Sequence, residues 1–392
     1  MIKKLLLCSF FLFNAFAVKA DNNNYLPPEV MASAVAGVNA IYALDYKTAR
    51  EEIDKVLKAY PDYPIALFGR TMIEWSRFEY EFEKSNPAQA KVFEESINSS
   101  IEGIKNWLEQ NKPDAQAYLA LGALYGVKGR FQLANRHFIK AYFSGRKGIK
   151  YMNLAVKMDP QLYDAYIGEA IYQYYAGTLP AVIKILAKIV VSGNAQKGID
   201  LLNMIKDKGR FSADSAKLLL IEIAIENDKY RNPALAKQYI DEIIIKYPNN
   251  PLFRFVAIIA NYENGQYEEV LFGGQDFLTK IGKEPFYNDI YIARAHTAVG
   301  TAYMGLKDYK KAAEVFEQSV AATKQQPMSR WQMWNLLRLA QTYDALGRTE
   351  DAKTVYREII SSKENWGIDE TASKYLKHPF ADGQDLGRMS PP

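Results

Sequence analysis

The sequence is nearly without cysteine and histidine. Its 392 residues include one cysteine, Cys8, and three histidines, and no His-Glu-x-x-His pattern occurs. Because Cys8 lies in a stretch interpreted below as a signal peptide, the mature chain has no disulfide, no thiolate metal site and no cysteine nucleophile. None of His137, His296 and His378 has a second ligand at a metal-binding spacing. We therefore predict no metal site, no cofactor and no catalytic residue.

Runs of one charge are also missing. No stretch of five lysines or arginines occurs, which argues against nucleic acid as a partner. Without residues 1–20, which hold three of the 49 basic residues and no acid, 46 basic residues face 45 acidic ones, a net charge of about +1. The chain lacks a phosphate-binding loop and a Gly-x-Ser-x-Gly elbow. Asp164 with Glu169, and Glu268 with Glu269, are candidate acid pairs for glycoside hydrolysis. Acids at this density are more typical of a solvated helix face.

The N-terminus has the pattern of an export signal. Lys3 and Lys4 precede an apolar run over 5–18, and Val18-Lys19-Ala20 suits a cleavage site. The run is shorter than the roughly 20 residues of a membrane span. We predict a signal peptide over 1–20, a short extension over 21–28, and an exported protein, periplasmic or secreted, with no transmembrane segment after signal removal. A second apolar stretch, 181–191, is interpreted as a core helix, with a lipid or partner contact as the alternative.

One spacing recurs through the chain: a small residue is followed twelve positions later by an alanine. In helical hairpins, small residues at fixed positions let neighbouring helices approach closely, so the spacing predicts an all-α array of antiparallel helix pairs. The five pairs are Gly37–Ala49, Gly122–Ala134, Ala224–Ala236, Gly300–Ala312 and Ala340–Ala352. The fourth residue after each alanine is bulky and is expected to be buried, in turn Ile53, Phe138, Ile240, Phe316 and Tyr356.

Turn and stop signals set the predicted boundaries. A turn at Gly129 is expected to separate a helix over Ala115–Tyr125 from one over Gln132–Tyr142. We predict a repeat domain over 29–380 that ends in a capping helix near Glu370–Leu376, because a terminal repeat has no neighbour to cover its apolar face. Residues 381–392 show no period and are expected to form a flexible tail.

These motifs resemble the tetratricopeptide repeat. The best matches to it are Gly300, Tyr303, Asp308, Ala312 and Phe316. The resemblance implies a right-handed superhelical solenoid of antiparallel helix pairs. The segments over 247–251 and 374–380 add to this resemblance, and with them the chain is similar to exported bacterial tetratricopeptide proteins.

The resemblance also implies a groove for a partner. In the family it is lined by the second, fifth, ninth and twelfth positions of each repeat. In the two C-terminal repeats of this chain these positions are Arg294, Thr297, Thr301, Met304, Trp334, Leu337, Gln341 and Asp344. The lysine and asparagine clamp that holds C-terminal carboxylates in some relatives is missing. Other repeats give an apolar lining, which is either filled by neighbouring repeats, the interpretation we favour, or open to an apolar segment.

The predicted function is a non-enzymatic protein–protein interaction scaffold of the cell envelope. It would bind a peptide, a helix or a partner subunit on its concave face. The alternative is an exported all-helical α/α toroid enzyme that acts on polysaccharide. The small–alanine spacing argues against a toroid, because such enzymes do not need it.

Overall fold

The computed structural model describes residues 27–80, 87–135, 137–178 and 193–391. The predicted signal peptide with Cys8, nearly all of the predicted 21–28 extension and the apolar stretch over 181–191 lie outside these residues. Every regular element within the described residues is helical, and successive helices pack against each other in adjacent pairs. The prediction of an all-α fold built from helix pairs is therefore confirmed.

Seventeen α-helices and two short 3-10 turns, at Tyr163–Tyr166 and Asp228–Tyr230, make up the described chain. The helices of the first half are α1 Pro28–Tyr42, α2 Tyr46–Ala59, α3 Pro64–Tyr80, α4 Pro87–Gln110, α5 Ala115–Ala134, α6 Phe138–Met158, α7 Ile167–Thr178, α8 Ala195–Lys208 and α9 Ala213–Glu226. Those of the second half are α10 Pro233–Lys246, α11 Pro251–Glu263, α12 Tyr267–Lys280, α13 Tyr291–Gly305, α14 Tyr309–Thr323, α15 Arg330–Ala345, α16 Thr349–Ser361 and α17 Asp369–Lys377.

Short polar side chains start many of these helices. An aspartate or asparagine side chain accepts a backbone N–H of the first turn and so satisfies a donor that has no partner within the helix. At α15, Ser329 and Gln332 form a reciprocal capping box. The aspartate and asparagine caps are Asp45, Asp114, Asn194, Asn232, Asn250 and Asp308, at α2, α5, α8, α10, α11 and α14.

Contacts divide the described chain into two compact units, one ending at Glu222 and one starting at Ile223. In the first unit, the expected turn at Gly129 is wrong, because α5 runs without a break to Ala134. Gly129 faces α6, and a Cβ there would lie 3.1 Å from the Ala141 carbonyl oxygen. This glycine therefore permits a close helix crossing instead of making a turn. As a consequence Phe138, expected to be buried, starts α6 and is 49% exposed.

In the second unit the spacing predicts the packing correctly. A Cβ on Gly300 of α13 would lie only 2.5 Å from the ring of Phe316 on α14, which is fully buried. The glycine thus makes room for the aromatic ring that follows Ala312 by four positions. At the end of the unit, α17 packs against α16 and buries Ala372 and Tyr375 in the same core as Tyr356. A helix is thus present where the capping helix was expected.

No helix within the described residues is both long enough and apolar enough to cross a membrane.

Candidate functional site

The eight predicted groove residues lie on two neighbouring helices of the second unit, α13 and α15. Thr297 is buried, and its hydroxyl donates to the Ala293 carbonyl one turn back, at 2.8 Å. Met304 and Leu337 belong to the hydrophobic core. These three side chains are turned into the protein.

Asp344 is oriented toward the end of the repeat array. Its Oδ2 accepts the hydroxyl of Tyr356 at 2.9 Å and the backbone N–H of Phe380 at 3.0 Å. It therefore anchors the chain that leaves α17.

Arg294 lies where three helices meet. Its guanidinium carbon is 5.8 Å from the ring centroid of Trp331 on α15, and that ring meets Phe255 of α11 edge-on at 5.4 Å. Guanidinium groups stack favourably on tryptophan faces. Side chains of α11, α13 and α15 thus pack together at this end.

The C-terminal tail, which was expected to fray, lies against α11 and α15. Three consecutive carbonyl oxygens of the tail accept hydrogen bonds from side chains of α11 and α15. Gly387 O accepts from the Tyr262 hydroxyl at 3.0 Å, Arg388 O from Arg338 Nη2 at 2.7 Å, and Met389 O from the Trp334 indole N–H at 2.8 Å. The Met389 side chain is fully buried. The tail carbonyls thus give each of these buried side chains an acceptor.

Glu263, the last residue of α11, holds the opposite side of the tail backbone. Its Oε1 accepts the N–H of Met389 at 3.2 Å, and its Oε2 pairs with Arg231 Nη2 at 2.8 Å. Arg388 lies 4.0 Å from the same carboxylate and also pairs with Asp228. We call the four residues Tyr262, Glu263, Trp334 and Arg338 the tail-binding surface.

Arg338 is the most unusual member of this surface. It is 1% exposed, and within the described chain no carboxylate lies within ion-pair distance of it. The groups in direct contact with its charge are neutral, and the carboxylates of Glu263 and Asp385 stabilise it from further away. Nη1 donates to Gln341 Oε1 at 3.0 Å, and the guanidinium lies 4.7 Å from the Trp334 ring centroid. Burial lowers the pKa of Arg338, but a guanidinium stays protonated in proteins and remains a donor.

Tyr262 is likewise held in its donor form. Burial raises the pKa of the Tyr262 phenol well above its ordinary value, so the hydroxyl keeps its proton at any physiological pH. Both α11 and α15 therefore offer donors to the tail carbonyls. This arrangement can bind a short stretch of backbone, since the four hydrogen bonds from Tyr262, Arg338, Trp334 and Glu263 are all made to main-chain atoms of residues 387–389.

Sequence reasoning found only part of this surface. Of the eight predicted residues, Trp334 contacts the tail and Gln341 supports it through Arg338. Tyr262, Glu263 and Arg338 were missed. The signal for Arg338 was available, because a single arginine between Leu337 and Leu339 interrupts an apolar helix. Whether the eight residues bind a partner stays a prediction.

The acids of the two candidate pairs either bind other groups or face solvent. Asp164 is buried and accepts the backbone N–H groups of residues 210–212, which lead into α9. Glu169 binds Gln173 and Lys197 instead of facing Asp164. Glu268 and Glu269 are exposed in the first turn of α12, where carboxylates stabilise the helix dipole. Within the described ranges, no group of three histidine, cysteine, aspartate or glutamate residues could hold a metal ion.

The match to a known family lies in the part of the chain that contains Trp334 and Arg338 of the tail-binding surface. Residues 291–365 match the tetratricopeptide repeat. The matched residues comprise α13 to α16, which are two consecutive helix pairs. The first of these pairs contains Gly300 and Phe316, and the second contains Trp334 and Arg338.

Solved structures of low sequence identity also match. NprR, in a crystal structure "in complex with its cognate peptide NprX", is 13% identical with a TM-score of 0.41, over 91% of this chain and 84% of that one. Yeast Tom70 is 13% identical with a TM-score of 0.40, over 90% and 89%. The APC/C hetero-tetramer Cut9–Hcn1 is 16% identical with a TM-score of 0.42, over 88% and 62%. No curated protein matches the chain.

Proposed function

We propose that this protein is a non-enzymatic interaction scaffold whose second unit binds a short segment of a partner protein against α11 and α15. The observation that carries the proposal is the seating of residues 387–389, whose three consecutive carbonyl oxygens accept from Tyr262, Arg338 and Trp334. A surface that holds one backbone segment in this way has the donors needed to hold another.

The chemistry of the surface suits a peptide better than a small molecule. Its donors come from an indole, a phenol and a guanidinium, each rigid or fixed by a neighbour, so little conformational entropy is lost when they bind. Glu263 adds an acceptor for a backbone N–H. Three donors and one acceptor thus match polar groups that every peptide backbone carries.

We further propose that the protein is exported and acts in the cell envelope, on the basis of the charged and apolar pattern of residues 1–20. The mass of the chain purified from its native cells tests this proposal. Cleavage after Ala20 should give a chain that starts at Asp21. A chain recovered with residues 1–20 intact from the cytosol would contradict it.

Site-specific photocrosslinking tests the scaffold function. A photoreactive amino acid replaces the half-buried Arg294 on α13, and in a matched control it replaces Phe272 on α12, which is 75% exposed. After illumination of living cells, we expect a protein adduct from position 294 and not from position 272. Mass spectrometry of the adduct then identifies the bound segment of the partner.

A second variant ties the adduct to the surface. Trp334→Ala removes the indole donor and should reduce the adduct from position 294 by about tenfold, the factor for a loss of roughly 1.4 kcal/mol. Adducts of equal yield from positions 294 and 272, or an adduct that Trp334→Ala leaves unchanged, would refute binding at this surface.

A further inference from the structure

The tail leaves the surface it covers incompletely satisfied. Three buried polar atoms at the contact have no hydrogen-bond partner among the described residues: Arg338 Nε, Arg388 Nη1 and Ser390 Oγ. Arg388 Nη1 is 4.0 Å from the Glu263 carboxylate, beyond hydrogen-bond distance. Buried donors without acceptors destabilise the state that contains them. The tail is thus held in register by its backbone, but its side chains do not use all the donors and acceptors available.

Two side chains of the tail nevertheless match the groups that they contact, one in polarity and one in charge. Met389 is fully buried beside Trp334, whose indole binds its carbonyl. Arg388, one position earlier, points to the acids Asp228 and Glu263. A basic residue followed by a long apolar residue is therefore the side-chain pattern that fits this site, in addition to the main-chain contacts.

We propose that residues 387–391 are an internal competitor that occupies the partner's place. The partner segment is a peptide with a basic residue followed by a long apolar residue, and it displaces the tail when it binds. This inference rests on the proposed function, since it assigns a ligand class and a means of regulation to the same surface. The basic residue of the partner pairs with Asp228 and Glu263, and the apolar residue takes the site of Met389.

Peptide binding to chains with and without the tail tests the proposal. The probe is a fluorescent peptide, Asp-Leu-Gly-Arg-Met-Ser-Pro-Pro, the sequence of residues 385–392. The proteins are the full chain, a chain that ends at residue 384, and the full chain with Met389→Asp, which keeps the length but places a charge in an apolar site. Fluorescence anisotropy measures Kd, and circular dichroism checks that each protein keeps its helices.

We expect the probe to bind both altered chains at least about tenfold more tightly than the intact chain, a difference of roughly 1.4 kcal/mol. Probes with glutamate in place of the arginine, or aspartate in place of the methionine, should bind the shortened chain about tenfold more weakly than the original probe. Phe272→Ser in the shortened chain is the control and should leave the Kd unchanged.

The outcomes separate this inference from the proposed function. Equal affinity of the probe for intact and altered chains would show that the tail does not compete. Peptides from a varied array could bind the shortened chain without a basic–apolar pair, and Trp334→Ala could abolish that binding. In that case the assigned ligand class is wrong while the scaffold function stands. If no peptide in the array binds the folded shortened chain, the proposed function itself fails.

Discussion

Alanine at two glycines should change stability in opposite directions. Gly300 lies in α13 with Phe316 in front of it, whereas Gly126 lies inside α5 with no atom within 4 Å of a Cβ built there. Alanine is favoured over glycine in a helix interior by about 1 kcal/mol. At Gly126 nothing opposes this gain. We therefore expect Gly126→Ala to raise the free energy of unfolding by about 0.5–1 kcal/mol.

At Gly300 the same methyl group meets a ring that cannot move away. The Cβ would lie 2.5 Å from Phe316 Cζ, and Phe316 is fully buried. Overpacking of this kind costs about 1–3 kcal/mol, which exceeds the helix gain. We expect Gly300→Ala to lower the free energy of unfolding by up to about 2 kcal/mol and the Tm by up to about 8 °C.

Thermal and urea unfolding followed by circular dichroism measure both variants, and hydrogen exchange assigns each change to its own helix pair. Phe316→Leu should relieve the clash, so the double variant with Gly300→Ala should be more stable than the sum of the single changes predicts, by about 1 kcal/mol. Changes of equal sign at the two glycines, or strict additivity in the double variant, would refute this account of the spacing.

Three further predictions concern buried polar groups. Tyr356→Phe removes a donor to Asp344, so the protein should lose about 1–2 kcal/mol, and exchange at the Phe380 amide should become faster; unchanged exchange would contradict the anchor. Burial lowers the pKa of His296 below its ordinary 6.5, so the unfolded chain takes up the proton first as the pH falls. The free energy of unfolding should therefore decrease below about pH 6.5. His296→Gln should flatten this dependence of the unfolding free energy on pH, measured by urea titrations. Asp164→Ala leaves the amides of residues 210–212 without their acceptor and should cost at least about 2 kcal/mol, with Asp164→Asn costing less in the same titrations.

The helix pairs could be predicted from the sequence because their packing is local and periodic. Gly300 and Phe316 are sixteen positions apart in one hairpin, and the small residue and the ring fit each other directly. The same spacing failed at Phe138, because a glycine supports both a turn and a close helix crossing. The amino-acid sequence around Gly129 does not distinguish a turn from a close helix crossing. Its position against Ala141 does, and that is a property of the folded chain.

The tail could not be predicted for a different reason. Its hydrogen bonds to α11 and α15 use main-chain carbonyl and N–H groups, which every residue possesses, and the pair Arg388–Met389 is too short to mark a bound segment in a sequence. The partners Tyr262 and Gly387 are 125 positions apart and belong to no common repeat. Only Arg338, a charge within an apolar helix, indicated that something with acceptors had to lie nearby.

The short tether of the tail has a quantitative consequence for any partner. Asp344 fixes the chain at Phe380, so residues 387–389 are linked to the surface by only a few residues. A ligand on a short tether experiences an effective concentration in the millimolar range. A free peptide of the same intrinsic affinity would therefore need to reach about millimolar concentration to displace half of the tail. The surface thus acts as a threshold that favours partners of higher intrinsic affinity, or partners held nearby by a second contact.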